Sequence, residues 1–243
     1  MNDAKQKIDV VNSISEFSTD RVVGKTAVVI DVLRATSVMV TALSYGAKKV
    51  VPVLSKEEAL AYREHNPEEL VILAGERNSD PIEGFDLGNS PVDLIPDVIK
   101  EATLVMTTTN GTKTIRKAEG AFCLYIASFL NALATAEALK EEKDVVLIAS
   151  GTNGLYSIED VLCAGYLVRL LKQNSQKVLL TDAAIAACNL YNSNVADFPG
   201  IALQGKHYNI LKQKGRERDL HFCFQRNLYP VVCKLTTGFI KKV

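Results

Sequence analysis

The sequence predicts an α/β fold of three layers, a mostly parallel sheet with helices flanking both faces. Three observations predict it: six short apolar runs rich in β-branched residues, helical patterns of crossover length between most of them, and strand-end loops crowded with polar side chains. The runs Thr26 to Val32, Lys49 to Val53, Leu70 to Ala74, Thr103 to Met106, Phe122 to Ala127 and Asp144 to Ala149 read as strands buried on both faces.

The helices between them are punctuated by side chains. A first helix begins near Ala35 and closes at Gly46, since glycine adopts the left-handed conformation at little cost. Ser55 with Glu58, Ser90 followed by Pro91 and Asp93, and Ser157 with Asp160 each pair a hydroxyl cap with an acidic third position, the last opening a helix that runs to Gln173. Thr181 caps a helix over Asp182 to Tyr191, and Asn192 to Gly200 reads as a loop. The basic segment Lys206 to Arg218 reads as a solvated helix face in preference to a mobile flap.

Residues 1–243 read as one integrated α/β unit. Within it, Leu104 to Gly111 and Leu147 to Gly154 both run from an apolar strand into Thr-Asn-Gly. Two related halves, 1–120 and 121–243, would explain this; a shared turn chemistry explains it equally well.

Composition narrows the function classes. With 28 basic and 28 acidic side chains, no net field draws the molecule to nucleic acid or an anionic membrane, so an anionic ligand must be caught by local groups. The polar start, Met1 to Asp9, and the lack of any apolar run near ~18 residues argue against a membrane segment. Five cysteines without C-x-x-C spacing suggest neither zinc nor a disulfide framework, and a cytoplasmic location is expected. A closed homo-oligomer is the expected assembly for a metabolic enzyme.

The strand ends carry the chemistry. Asp31 closes an apolar strand, where an ionised carboxylate costs several kcal/mol unless a cation or strong donors meet it. Arg34 follows it, and Glu76 with Arg77 repeats the pairing at another strand end. Two structural ion pairs would account for all four residues; a site for a hard cation and an oxyanion is the reading preferred here. The Thr107 to Thr112 loop has the glycine and hydroxyl donors of an anion cradle but not the spacing of a Walker A loop. Glu159 and Asp160 occupy the first turn of one helix, roughly 100° apart, so at most one of them faces Asp31. His65, His207 and His221 read as surface or packed residues.

Taken together, Asp31-Val-Leu-Arg-Ala-Thr-Ser37, Gly75-Glu-Arg77, Gly84-Phe-Asp-Leu-Gly-Asn-Ser-Pro91, Thr107-Thr-Thr-Asn-Gly-Thr112, Ala127-Ser-Phe-Leu-Asn-Ala132 and Gly151-Thr to Ser157-Ile-Glu-Asp160 resemble the 2-phosphosulfolactate phosphatases. The resemblance spans Asp31 to Asp160, with little beyond Arg218-Asp-Leu and Cys223 after Lys177. It implies Mg²⁺-dependent hydrolysis of a three-carbon sulfonate phosphate ester, in coenzyme M and sulfolactate metabolism. On that basis Asp31, Glu76 and one of Glu159 or Asp160 would hold Mg²⁺, with Asp86 as a further ligand or general base. Arg34 and Arg77 would grip the oxyanions, helped by Thr36 and Ser37. Asn89, Thr109, Asn110 and Gly111 would cradle phosphate or sulfonate, joined by Ser128, Asn131, Gly151 and Thr152. Attack by water is expected over a phospho-enzyme, because Leu33 stands where a haloacid-type site has its second aspartate.

Overall fold

All six apolar runs form strands in the computed structural model, which describes residues 5–174 and 177–243; Met1 to Ala4, the start of the polar amino terminus, lie outside them. In chain order the strands are β1 Gln6–Val11, β2 Thr26–Ile30, β3 Lys49–Pro52, β4 Val71–Arg77, β5 Asp80–Pro81, β6 Thr103–Thr107, β7 Cys123–Ala127, β8 Asp144–Ala149, β9 Val178–Leu180, β10 Cys233–Thr236 and β11 Phe239–Lys242. The helices are α1 Ala35–Ser44, α2 Lys56–His65, α3 Pro96–Ile99, α4 Gly111–Lys117, α5 Ala132–Leu139, α6 Ile158–Asn174, α7 Asp182–Ser193, α8 Phe198–Ala202, α9 Lys206–Gln213 and α10 Glu217–Cys223.

Among the described residues the strands make one sheet in the order β5-β4-β6-β3-β11-β10-β7-β2-β8-β1-β9. Two parallel sets, β4-β6-β3 and β7-β2-β8-β1-β9, are stitched together by the carboxyl-terminal hairpin β10–β11. Strand β11 pairs antiparallel with β3, β10 with β11, and β10 with β7. Three reversals leave the two sets formally opposed, so the carboxyl ends of their strands do not share the single straight edge that a uniformly parallel sheet would provide. Twist brings them back together. Five neighbour steps separate β6 from β2, and at roughly 20–25° each they rotate the sets by about 100–125°, offsetting most of the reversal.

The curled sheet closes around α1 and α4. Val38, Met39 and Leu43 of α1 and Ile115 of α4 pack in one core with Val29 of β2, Ile126 of β7, Val50 of β3 and Met106 of β6. Outside the larger set, α5, α6 and α7 form a second core with Ile8, Ile30 and Leu147. Outside the smaller set, Ala59 of α2 covers Leu73 and Val105. Each fully buried Ile, Leu or Met contributes about 1.5–3 kcal/mol relative to exposure, so burial on both faces explains why these strands read as continuous apolar runs.

Two of the expected caps form: the Ser55 hydroxyl accepts from Glu58 N at 3.1 Å, and Thr181 accepts from Ala184 N at 3.3 Å. Two others are redirected. The Ser90 hydroxyl donates to Asp219, leaving only a short 3-10 turn at Pro91–Asp93. Ser157 hydrogen-bonds Thr152, while the Asp160 carboxylate serves other strands instead of its own helix. For Ser90 and Asp160 a buried long-range partner outcompetes a local one, whereas Ser157 turns to a hydroxyl five residues back.

Candidate active site

A cavity of about 210 Å³ opens where the two strand sets converge. Asp31, Arg34, Glu76, Asn89, Thr109, Asn110 and Thr152, all predicted from sequence, line it; so do Leu33, Asn78, Ser79, Asn153, His207 and Ile210, which were not.

Asp31 leaves β2 into a tight turn that carries the chain into α1. Thr36 holds that turn by donating to Asp31 O and accepting from Asp31 N, and Ser37 donates to Val32 O. Expected as substrate contacts, Thr36 and Ser37 are buried and face the backbone instead. The Asp31 Oδ1 accepts from Ala35 N at 3.2 Å. Its Oδ2 points at Gly111: a Cβ there would sit 2.7 Å from Oδ2 and 2.6 Å from the Ala35 Cβ. Gly111 is therefore needed as an absence of side chain beside a carboxylate.

Arg34 is buried, and its guanidinium forms an ion pair with Asp219 of α10, whose other oxygen accepts from Ser90. Burying a guanidinium costs several kcal/mol unless a partner is held in good geometry, which Asp219 provides. The pair fixes the guanidinium at the cavity wall.

Glu76 accepts from Thr109 N at 2.7 Å, from the Thr109 hydroxyl and from Ser79 N. It therefore locks the β6 loop to the β4–β5 turn, where Asn78 and Ser79 both have positive φ. The two Thr-Asn-Gly segments meet here, because Asn110 Oδ1 accepts from Asn153 N at 3.0 Å. Asn89 Oδ1 is buried with no hydrogen-bond partner among the described residues.

Roofing the cavity is α9, the segment read from sequence as a solvated face. His207 lies 3.3 Å from Glu159 Oε1, Ile210 lines the cavity, and Lys214 ties the far end to Asn78 O and Asp80. A basic run with alternating roles gave no periodic signal for this. Asp219 stood in the sequence only within the Arg218-Asp-Leu fragment of the resemblance, with no sign of its role: its partner lies 185 residues away.

Several expected site residues are placed elsewhere. Asp86, thought of as a base or ligand, pairs with Arg63 and accepts from Leu73 N at the half-exposed outer edge of β4. Arg77 donates to Glu76 O, Leu54 O and the Thr107 hydroxyl, so it pins strand ends in place of gripping substrate. Ser128 and Asn131 form a capping box, and Asn131 also donates to Val231 O. Asp160 accepts from Val32 N and Gly151 N, so both it and Gly151 act as a staple between β2 and β8. Among the described residues no three His, Cys, Asp or Glu side chains are grouped as a metal centre, in contrast to the expected three-carboxylate set.

Burial raises the Asp31 carboxyl from 3.8 to about 6; the charge of His207 and the Ala35 amide pull it down, and Glu76 and Glu159 push it up. Asp160 is raised well above its ordinary value by burial, then by Asp31 and Glu159. A raised folded value means the folded state holds its proton more tightly, so stability is lost as pH climbs from 3.8 to about 6 and stays lower above that. For Asp31 the rise corresponds to about 3 kcal/mol. Urea midpoints of the metal-free protein between about pH 4.5 and about pH 7 should therefore fall more steeply for wild type than for Asp31→Asn. Parallel profiles would rule this out.

Comparison with known proteins shows which family the chain belongs to. The family model described as 2-phosphosulpholactate phosphatase matches residues 12–238. A protein of Clostridium acetobutylicum named probable 2-phosphosulfolactate phosphatase is 43% identical over 236 residues, 96% of this chain and 99% of the relative. Relatives of the same name from Clostridium novyi and Clostridium perfringens are each 43% identical, covering 93% and 98% of this chain and 95% and 96% of their own. The chain belongs to the 2-phosphosulfolactate phosphatase family. It is thus a phosphoric monoester hydrolase, and the match runs without a break past Asp160, taking in His207 as well as the Arg218-Asp-Leu fragment that holds Asp219. No described helix of this family member is long and apolar enough to cross a membrane.

Proposed function

We propose that the protein is a Mg²⁺-dependent phosphatase that hydrolyses 2-phosphosulfolactate to sulfolactate and inorganic phosphate. The observation that carries this reading is the pairing, in one small cavity, of an Arg34 guanidinium oriented by Asp219 with a buried carboxylate, Asp31, of raised proton affinity. Asp219 and Ser79 O engage only some of the guanidinium N–H groups, and those left over suit a phosphoryl oxygen pair.

The residues present fit Mg²⁺. Asp31 and Glu159 repel each other electrostatically, Glu159 from the adjoining space that shares Thr152 and His207 with the main cavity, and Asn89 contributes an orphaned buried oxygen to the wall that Asp31 lines. A hard cation satisfies all three, and Mg²⁺ takes one or two carboxylates plus substrate phosphate oxygens and water. Asp31 and Glu159 are the residues proposed to hold it, and the unpartnered Asn89 Oδ1 would add a neutral oxygen beside them. When bound, the cation neutralises charge on the phosphoryl group and acidifies water. The protein's own groups do the rest: Arg34 holds the phosphoryl oxygens, Glu76 keeps the Thr109 loop in register, and α9 closes the cavity from above. Water adds to phosphorus, the ester P–O bond breaks, and sulfolactate leaves with its hydroxyl. Five free cysteines suit the reducing cytosol.

Phosphate release from 2-phosphosulfolactate should require Mg²⁺, stop with a chelator and return when Mg²⁺ is restored. Release that persists through chelation removes the metal from the proposal; no release under any divalent cation removes the substrate.

A further inference from the structure

The cations around the cavity are nearly all engaged. Arg34 pairs with Asp219, Lys214 with Asp80 and His207 with Glu159, while Arg77 donates to strand-end oxygens. Acids also crowd Asp31, with Glu76 and Glu159 both repelling its charge. A substrate that carries a phosphate, a carboxylate and a sulfonate needs a further positive group. Two annexes adjoin the cavity, each with one lysine that makes no ion pair among the described residues. One, of about 240 Å³, shares Thr152 and His207 with the main cavity and carries Lys206. Glu159 lines it as well, and its carboxylate opposes an anion there. The other, of about 160 Å³, shares Thr109, Asn110 and Asn153 with the main cavity and carries Lys113, with no acidic side chain in its wall.

Resting on the functional reading above, we propose that the Lys113 annex is the sulfonate subsite and that Lys113 determines specificity for a sulfonated substrate. Asn110 is placed for the role: its Oδ1 is held by Asn153 N, and Asn110 lines both spaces. The chemistry of the anion also fits. A carboxylate is planar and matches a guanidinium fork, whereas a sulfonate offers three oxygens in a pyramid with no preferred plane, which a compact ammonium and an amide can meet from any side. Phosphate is thereby placed at Arg34 and the sulfonate one loop away, across Thr109 and Asn110.

Lys113 is exposed, so its replacement should leave the fold intact, as a melting curve will verify. The test compares 2-phosphosulfolactate with 2-phospholactate, in which hydrogen replaces the sulfonate, on wild type, Lys113→Ala and Lys113→Arg. Lys113→Ala should lower kcat/KM for 2-phosphosulfolactate by roughly 10–100-fold, mostly through KM, and for 2-phospholactate by less than about threefold. Lys113→Arg should recover most of the loss, and product inhibition by sulfolactate should weaken in parallel with the alanine variant. Equal loss on both substrates, or no loss on either, overturns the sulfonate assignment while leaving the phosphatase reading intact. A wild type that releases no phosphate from 2-phosphosulfolactate overturns that reading and this assignment with it.

Discussion

Asp31→Asn should lower kcat by roughly 10²–10⁴-fold while leaving the folded protein as stable as wild type, or more so, near neutral pH. The amide preserves the shape of the side chain, and its oxygen still accepts from Ala35 N, so the turn into α1 survives. What disappears is a negative charge that burial and the neighbouring Glu76 and Glu159 make costly to hold. A group kept at such a cost beside an arginine aimed into the same cavity is the profile of a functional residue and not of a structural one. The two readouts, turnover and urea midpoint, separate the possibilities. Near-native turnover would remove Asp31 from the chemistry; a large loss of stability would mean that its charge serves the fold.

Asp219→Ala carries the largest expected effect on stability, about 3–5 kcal/mol. Alanine leaves the buried Arg34 guanidinium with Ser79 O but no charged partner, and strands the Ser90 hydroxyl, whose hydrogen Asp219 had accepted. Replacing both charged partners with apolar residues should restore much of the stability without restoring activity, because the unpaired charge is the costly element. Chemical denaturation of the two variants measures this directly. A loss below about 1 kcal/mol for Asp219→Ala would show that Arg34 reaches water or another acceptor, and the pair would then no longer explain how the guanidinium is held at the cavity wall.

Arg34 and Asp219 also mark the boundary of what sequence reading can reach. Strands β2, β4, β6, β7 and β8 were legible because each is buried on both faces and carries its own apolar run, and β3, half-buried on one face, because its Val-Val-Pro-Val run is apolar throughout. Strand β1 was not, since Gln6 to Val11 begins within a charged stretch, and the hairpin β10–β11 mixes lysines with short apolar pieces like a surface segment. The hairpin nonetheless sets the relative direction of the two strand sets, and with it the convergence of Asp31 and Glu76. Internal similarity between the Thr-Asn-Gly segments was visible in the sequence; that they touch through Asn110 and Asn153 was not.

By itself the sequence determined the fold class, the family resemblance and the concentration of acids, arginines and hydroxyls at strand ends, because these depend on local periodicity and on residue type. Which of those polar groups face the ligand was decided only by tertiary structure. Arg34 and Arg77 look alike along the chain, as do Glu159 and Asp160, yet one of each pair turns to the cavity side while the other ties backbone together. The physical reason is that a buried polar group takes whichever partner the packed fold brings within hydrogen-bond reach, and that partner can stand more than a hundred residues away.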